Sequence, residues 1–331
     1  MLESTTPKGP EVSSKTPDHN LLIISDLHLS EGRHPIKKKF SPNEDFFFDE
    51  EFARFLAYYS NRWPDRQWCL IINGDFLDFL QVTSIEGADE SLSRDSDRPE
   101  YGLGCGAPET IFKLDIIMDG HWQFFHALAK FIVNGNYVTI IKGNHDVEFH
   151  YEDVRNAFKD KMYNLCQKIK QIKKIAVTDR ISFSGWFYYE PDLLWVEHGN
   201  QYDEQNCFRN WLAPLLPANN LIDLPFGSLF VRYLFNRVER KEPFADNIKP
   251  QSKFISWFLF NHPIQALGFF LRDGCYMLKK LHRAWKSGPD SAYKKRDEEH
   301  RKRRDGLANL CKIDPNQLKS VDELKATSVL R

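Results

Sequence analysis

Four apolar runs, each closing on a short polar string, constrain this chain more than anything else in it. LLIIS (21–25) leads into Asp26-Leu27-His28, and WCLIIN (68–73) into Gly74-Asp75-Phe76-Leu77-Asp78. YVTIIK (137–142) leads into Gly143-Asn144-His145-Asp146, and LLWV (193–196) into Glu197-His198-Gly199. The runs are short and mostly aliphatic, the pattern of strands buried on both faces. A strand of that kind ending in Asp, Asn and His sets oxygen and imidazole groups along the carboxyl edge of a sheet. That is the edge at which open α/β sheets bind ligands.

These residue types suit divalent cations. A pair of ions about 3.5–4 Å apart can hold a phosphoryl group and generate hydroxide near neutral pH. Such a pair needs an anionic bridge, and Asp75 is the candidate because a carboxylate has two oxygens and a full charge. Asp26 and His28 would serve one ion, since residues i and i+2 at a strand end share a side. Asn144 and His198 would serve the other. Carboxylate, amide oxygen and imidazole suit Mn²⁺, Zn²⁺ or Fe²⁺, and the set contains no thiolate. Taken alone, Asp26 with His28 reads equally well as a polar strand cap; the ordered set of four strings is what argues for a site. Gly74, Gly143 and Gly199 read as tight-turn residues, which also lets backbone approach an ion.

The stretches between the runs are helical or short and extended. DFFFDEEFARFLAYYSNR (45–62), residues 111–133 and residues 151–172 predict helices, whereas KIAVTD (174–179) and ISFSGWFYY (181–189) predict short strands. Alternation of this kind gives a layered α/β fold. Residues 82–108, rich in Ser, Asp, Gly and Glu, form a long loop leaving the Asp78 string. From 206 to 286 the texture changes to Phe, Leu and Trp at helical spacing with basic residues between them. This predicts an inserted helical cap, its apolar face serving as core or as a lipid-binding surface. Residues 1–19 read as a flexible leader without an apolar signal segment, and 287–331 as a basic and polar C-terminal segment.

The four strings resemble those of the calcineurin-like metallophosphoesterase superfamily over roughly residues 20–203. The resemblance implies an α/β/β/α sandwich, two divalent metal ions with Mn²⁺ foremost, and ligation by Asp26, His28, Asp75, Asn144 and His198. It implies further that His145 lies beside the phosphate and aids leaving-group protonation, with Asp78 orienting its imidazole. Asp146 reads either as part of that site or as a turn-closing side chain. The branch that the chain is most similar to is the UDP-2,3-diacylglucosamine pyrophosphatase group, on the order SDLHL, GDFLDF, GNHD, EHG and then an aromatic helical insertion. His145 stands where that group often carries Arg. The implied activity is hydrolysis of phosphate esters or pyrophosphates, on a phosphorylated small molecule or a lipid-linked substrate, by a metal-bridging hydroxide.

The family also uses a GHxH string that gives one histidine to each metal, and this sequence has none. His262, His282 and His300, the histidines after His198, read as surface or helix-packing residues. Either the chain ends before that block or it is a degenerate relative; the first reading expects the C-terminal strands of the fold beyond Arg331. A catalytically silent scaffold is therefore one alternative. A nucleic-acid phosphodiesterase using the basic stretch 279–304 is another, although a net charge of −1 gives no global polyanion signal. The same stretch, with the cap, could meet phospholipid headgroups. Six cysteines without CxxC spacing read as reduced thiols, and so as a cytoplasmic protein, peripheral at most to the inner face of a membrane.

Overall fold

The computed structural model describes residues 19–62, 66–92, 101–240, 242, 251–269, 271, 274 and 290–327. The expected leader thus lies outside the described residues but for His19, as do His282 and the basic residues 279–289.

The fold is mixed α/β around a four-stranded parallel sheet, in the order β1 (Asn20–Ile24), β2 (Trp68–Asn73), β3 (Tyr137–Ile141) and β4 (Ile181–Ser184). Each parallel neighbour is reached by a helical crossover, as parallel pairing requires. Helix α1 (Asp49–Arg62) joins β1 to β2, helices α2 (Ala107–Gly120) and α3 (Trp122–Val133) join β2 to β3, and α4 (Glu152–Ile169) joins β3 to β4. Helix α1 begins with Asp49, Glu50 and Glu51 and ends on Arg62, charges that complement the helix dipole at both ends. Phe124, Phe125, Phe158 and Phe183 pack between the helices and one face of the sheet, in the main apolar core.

The opposite sheet face carries Cys69, Ile71 and Ile141, and meets Tyr188 and Val196 of an antiparallel hairpin. That hairpin is β5 (Phe187–Glu190) with β6 (Leu194–Glu197). The fourth apolar run therefore does not enter the parallel sheet, and all of β6 is only half-buried. β1 is likewise less covered than its aliphatic sequence suggests. It is an edge strand in which Leu22 alone is buried and Ile23 is 48% exposed. Of the four runs, only β2 and β3 are interior strands buried on both faces.

Two further expectations change. KIAVTD forms one helical turn, α5 (Lys174–Thr178), instead of a strand. Its β-branched residues fit an extended chain locally, but the backbone here must turn from α4 into β4. One turn does this with Val177 in the core and Ile175 left outside. The single helix expected over 111–133 is broken at His121, between α2 and α3. Gly120 and Gly32 touch at the break: a Cβ on Gly120 would lie 2.0 Å from the Glu31 carbonyl oxygen, and one on Gly32 would lie 2.6 Å from Gly120. The freed His121 ring turns inward between Glu44 and Asp49, at 3.1 and 2.8 Å. Glu44 also accepts from the backbone N–H groups of Gly32 (2.6 Å) and Phe46 (2.9 Å), so one buried carboxylate organises the loop after β1.

The C-terminal half is less separable than its composition suggests. Phe208, Trp211, Leu212, Ile222 and Leu224 share the main core with Leu307, Ala308 and Cys311 of α10 (Asp290–Cys311) and Leu318 of α11 (Pro315–Glu323). A second apolar cluster is built on Phe230, Leu234, Phe235 and Val238, with Phe226 packed against it. It joins the helical run 226–239, consisting of α6 (Phe226–Phe230), a π-helical stretch (Val231–Phe235) and α7 (Asn236–Glu239), to α8 (Gln251–Asn261) and α9 (Pro263–Phe269). Arg296 and Arg304, both within the basic stretch 279–304, are buried against Asp223 and Asp322. His300 packs in the same layer, its Nδ1 accepting from Leu212 N–H (3.2 Å) and its Nε2 facing Asp322 (3.1 Å).

The His121 ion pairs carry a pH signature. Burial opposes the charge on His121, but the Asp49 and Glu44 carboxylates outweigh it and push the imidazole up to about 9. The folded chain then holds a proton that the unfolded chain releases above about 6.5, so the stabilisation is complete below that pH and is lost as pH rises through about 9. Urea melts should show the advantage of wild type over His121→Gln shrinking by on the order of 3 kcal/mol across that window.

Candidate metal centre

The polar strings converge because their strands are neighbours. Ile24 pairs with Ile72 and Ile72 with Ile140, so the carboxyl ends of β1, β2 and β3 lie side by side. Pairing continues past the strand ends, with Asp26 N–H donating to Gly74 C=O (3.2 Å) and His28 N–H to Asp75 C=O (2.9 Å). Between these contacts the backbone is forced into the left-handed region at Asp26 (φ 55°), His28 (φ 49°) and Asp75 (φ 47°). Side chains other than Gly rarely occupy that region, and such residues cluster at functional sites.

Asp75 is the hub. Its carboxylate is buried, accepts from His145 N–H at 2.9 Å, and lies 3.1 Å from His198 Nε2 and 3.7 Å from His28 Nε2. Two neighbouring glycines permit this. A Cβ on Gly143 would fall 2.2 Å from Asp75 Oδ1, and one on Gly74 would fall 2.4 Å from the His198 ring. His198 arrives from the β5–β6 hairpin, and the Gly199 turn beyond it has φ 91°. Asn73 reaches across to the same hairpin, its Nδ2 donating to Glu197 C=O at 3.1 Å. The Asn73 carbonyl sits 3.1 Å from His198 Nδ1, and Nε2 faces Asp75 and the Asn144 amide oxygen at 3.2 Å, so both ring nitrogens meet acceptors, as an imidazolium does.

Two groups of donor atoms result, each close enough to hold one cation: Asp26, Asp75 and His198, and His28, Asp75 and His145. Asp75 belongs to both. The expected pairing of Asp26 with His28 on one ion is not what the loop does. Both residues leave extended geometry, so the i, i+2 rule for a strand end fails and the two side chains divide between the groups. Asn144 lies against His198 in the first group, Oδ1 to Nε2.

Asp78 lies fully buried behind the second group, with Oδ2 2.5 Å from His145 Nδ1 and 3.3 Å from His28 Nδ1. It therefore contacts two imidazoles, where the sequence suggested one. Asp146 closes a turn and reaches the neighbouring loop, accepting from Gly143 N–H (2.6 Å) and Phe76 N–H (2.8 Å). Burial, aided by nearby Asp75, pushes its carboxyl up. The imidazoles respond in the opposite sense. Burial opposes charge on His198 and His145, yet the surrounding carboxylates raise them to about 9 and about 10. His28 is raised as well, through its hydrogen bond to Asp78. Such a cluster has a negative potential that favours cations, consistent with its donor chemistry.

Three contributors escaped sequence reading. Lys142 is buried beside Gly143, donating to Trp211 C=O (2.9 Å) with Nζ 3.9 Å from the Trp211 ring centre; its role depends on a residue far along the chain. Glu197 fixes the hairpin by accepting from Trp186 Nε1–H (2.8 Å) and Tyr202 O–H (2.5 Å). Glu148, fully buried just past Asp146, has its carboxyl pushed up to about 7 by burial. Of these, only Glu197, inside the fourth string, had a visible signal.

No family model matches the chain, and no curated protein or solved structure matches it.

The Gly143 contact gives a steric test. In Gly143→Ala the methyl group would displace the Asp75 carboxylate, so Mn²⁺ affinity by calorimetry should fall by roughly 10–100-fold, the range for disturbed ligand support. Far-UV circular dichroism should stay unchanged.

Proposed function

We propose that this chain is a metal-dependent phosphoesterase that hydrolyses phosphate esters or pyrophosphates, of the calcineurin-like type with its layered α/β/β/α sandwich. The observation that carries the reading is that Asp75 is common to two compact donor groups, as a bridging carboxylate must be. The hairpin lying on the second sheet face supports the fold assignment.

Asp26, Asp75, Asn144 and His198 would hold one divalent ion, and His28 with Asp75 the other. Bound there, a pair of ions such as Mn²⁺ would neutralise phosphate charge and make a water nucleophilic near neutral pH. The protein's own part centres on His145. Asp78 holds Nδ1–H, and the Asp78 and Asp75 carboxylates favour the imidazolium despite its burial. The ring can thus carry a proton at neutral pH and deliver it to the leaving oxygen as the bond from phosphorus to that oxygen breaks and the bond from phosphorus to the water oxygen forms. The helical run 226–239 is fastened to the loop that leaves Asp78: Asn236 Nδ2 donates to Leu80 C=O (2.7 Å) and Arg232 Nη2 to Leu103 C=O (2.5 Å). That attachment supports a cap bordering the substrate, and its apolar helices favour an amphiphilic or lipid-linked one of the UDP-2,3-diacylglucosamine type.

Mn²⁺-supported cleavage of a generic phosphodiester, with elemental analysis of the same samples, tests the reading. Asp75→Asn and His198→Ala should lose turnover and bound metal together. His145→Ala should keep two ions per chain and lose roughly 10²–10⁴-fold in kcat, the usual worth of a positioned acid. Wild-type activity in Asp75→Asn would overturn the assignment.

A further inference from the structure

Four basic side chains meet beside the root of the Asn144 loop. His150 ends the short 3₁₀ turn Val147–His150 that follows Asp146, and guanidinium groups from two helices reach it. Arg155, in the first turn of α4, donates from Nη1 to the carbonyls of Phe149 (2.7 Å) and His150 (2.8 Å). Arg303 arrives from α10, its Nη1 3.4 Å from His150 Nε2. All three are half-buried, so the cluster is open to solutes. Lys142, buried on Trp211 just beyond β3, adds its charge from behind. The groups oppose one another: burial, then Lys142, Arg303 and Arg155, hold the His150 imidazole well below its usual value. Burial, Arg303 and Arg155 act on the Lys142 amine in the same sense.

Nearby acids do not balance this charge. Glu299, exposed one helical turn from Arg303, pairs with its Nη2 at 2.5 Å. Glu152, also exposed, favours the charge on Arg155 only from the solvent side, and among the described residues Arg155 forms no ion pair. Asp146 favours the charge on Lys142, but its oxygens are engaged by the N–H groups of Gly143 and Phe76. Cations gathered in a half-buried site repel one another unless an anion joins them. Two guanidinium groups and an ammonium against a single contacting carboxylate suit a doubly charged ligand. Arginine forks match the oxygen edges of a phosphate in geometry as well as charge. We propose that His150, Arg155 and Arg303 form a binding site for a phosphate dianion, either inorganic phosphate or the phosphoryl group of a phosphomonoester. An anion held there ties α10 to the turn after Asp146 and stiffens the root of the Asn144 loop. The site does not rest on the phosphoesterase reading, since none of its side chains belongs to either donor group of the metal centre.

Calorimetric titration of the 331-residue chain in low-salt buffer tests the site, with inorganic phosphate and glycerol 3-phosphate as the two probes. At least one should bind, and the tighter of the two identifies the source of the anion. Binding should persist in Asp75→Asn, which disables the metal centre and leaves the basic cluster untouched. Arg303→Gln should weaken binding at least about tenfold, the worth of one hydrogen bond to a charged group. Glu299→Gln should act in the opposite sense and tighten it, because the Arg303 fork loses its competing carboxylate. An arginine with a structural role alone predicts no such gain. Neither side chain is buried, so melts of both variants without phosphate should match wild type. Failure of both probes to bind would overturn the proposal, as would equal affinity in wild type and Arg303→Gln. Loss of binding in an Asp75→Asn protein that melts like wild type would also overturn it, by assigning the anion to the metal centre.

Discussion

The buried negative charge of Asp75 is the constraint around which the rest of this structure is arranged. A carboxylate removed from water is costly unless donors or cations surround it. Here an N–H from the third strand's loop and imidazoles from two other loops do so, and two glycines stand aside to let them approach. Adjacency of β1, β2 and β3 delivers the first three strings to this point, and the hairpin across the sheet brings the fourth. The left-handed backbone at Asp26, His28 and Asp75 follows from the same demand, since an extended path would aim those side chains elsewhere.

Much of this was legible in the sequence because the signals are local. An apolar run followed by Asp, Asn or His shows both the strand and the edge, and the order of the strings shows which loops must meet. Division of Asp26 from His28 was not legible: alternation applies to strands, and the loop departs from strand geometry only through hydrogen bonds to a neighbour some fifty residues away. β6 looked like a buried parallel strand because a short aliphatic run does not reveal its partners. KIAVTD misled for a related reason, its β-branched content being overridden by the turn that the connection requires.

The C-terminal half shows how composition can mislead in the other direction. A run of arginines and lysines reads as a solvated face, yet Arg296 pairs with Asp223 at 2.8 Å and Arg304 with Asp322 at 3.3 Å. Those acids are 73 and 18 residues from their partners, so no local window could identify the pairs. Arginine tolerates such burial because its fixed fork of donors can satisfy several acceptors at once.

The stacking of Lys142 on Trp211 has a consequence for the order in which the protein becomes functional. Lys142 immediately precedes the Gly143 turn, and its amine is held by a residue 69 positions later. Trp211 is in turn flanked by contacts to α10, since Asn210 donates to Asp297 and Leu212 to His300. The base of the Asn144 loop is therefore secured only once residues near 300 have been synthesised and have folded back. During translation the sheet and its helices can assemble early, but the geometry of the Asn144 loop ripens last. Contacts of such long sequence separation form slowly, because a large loop must close before they contribute anything.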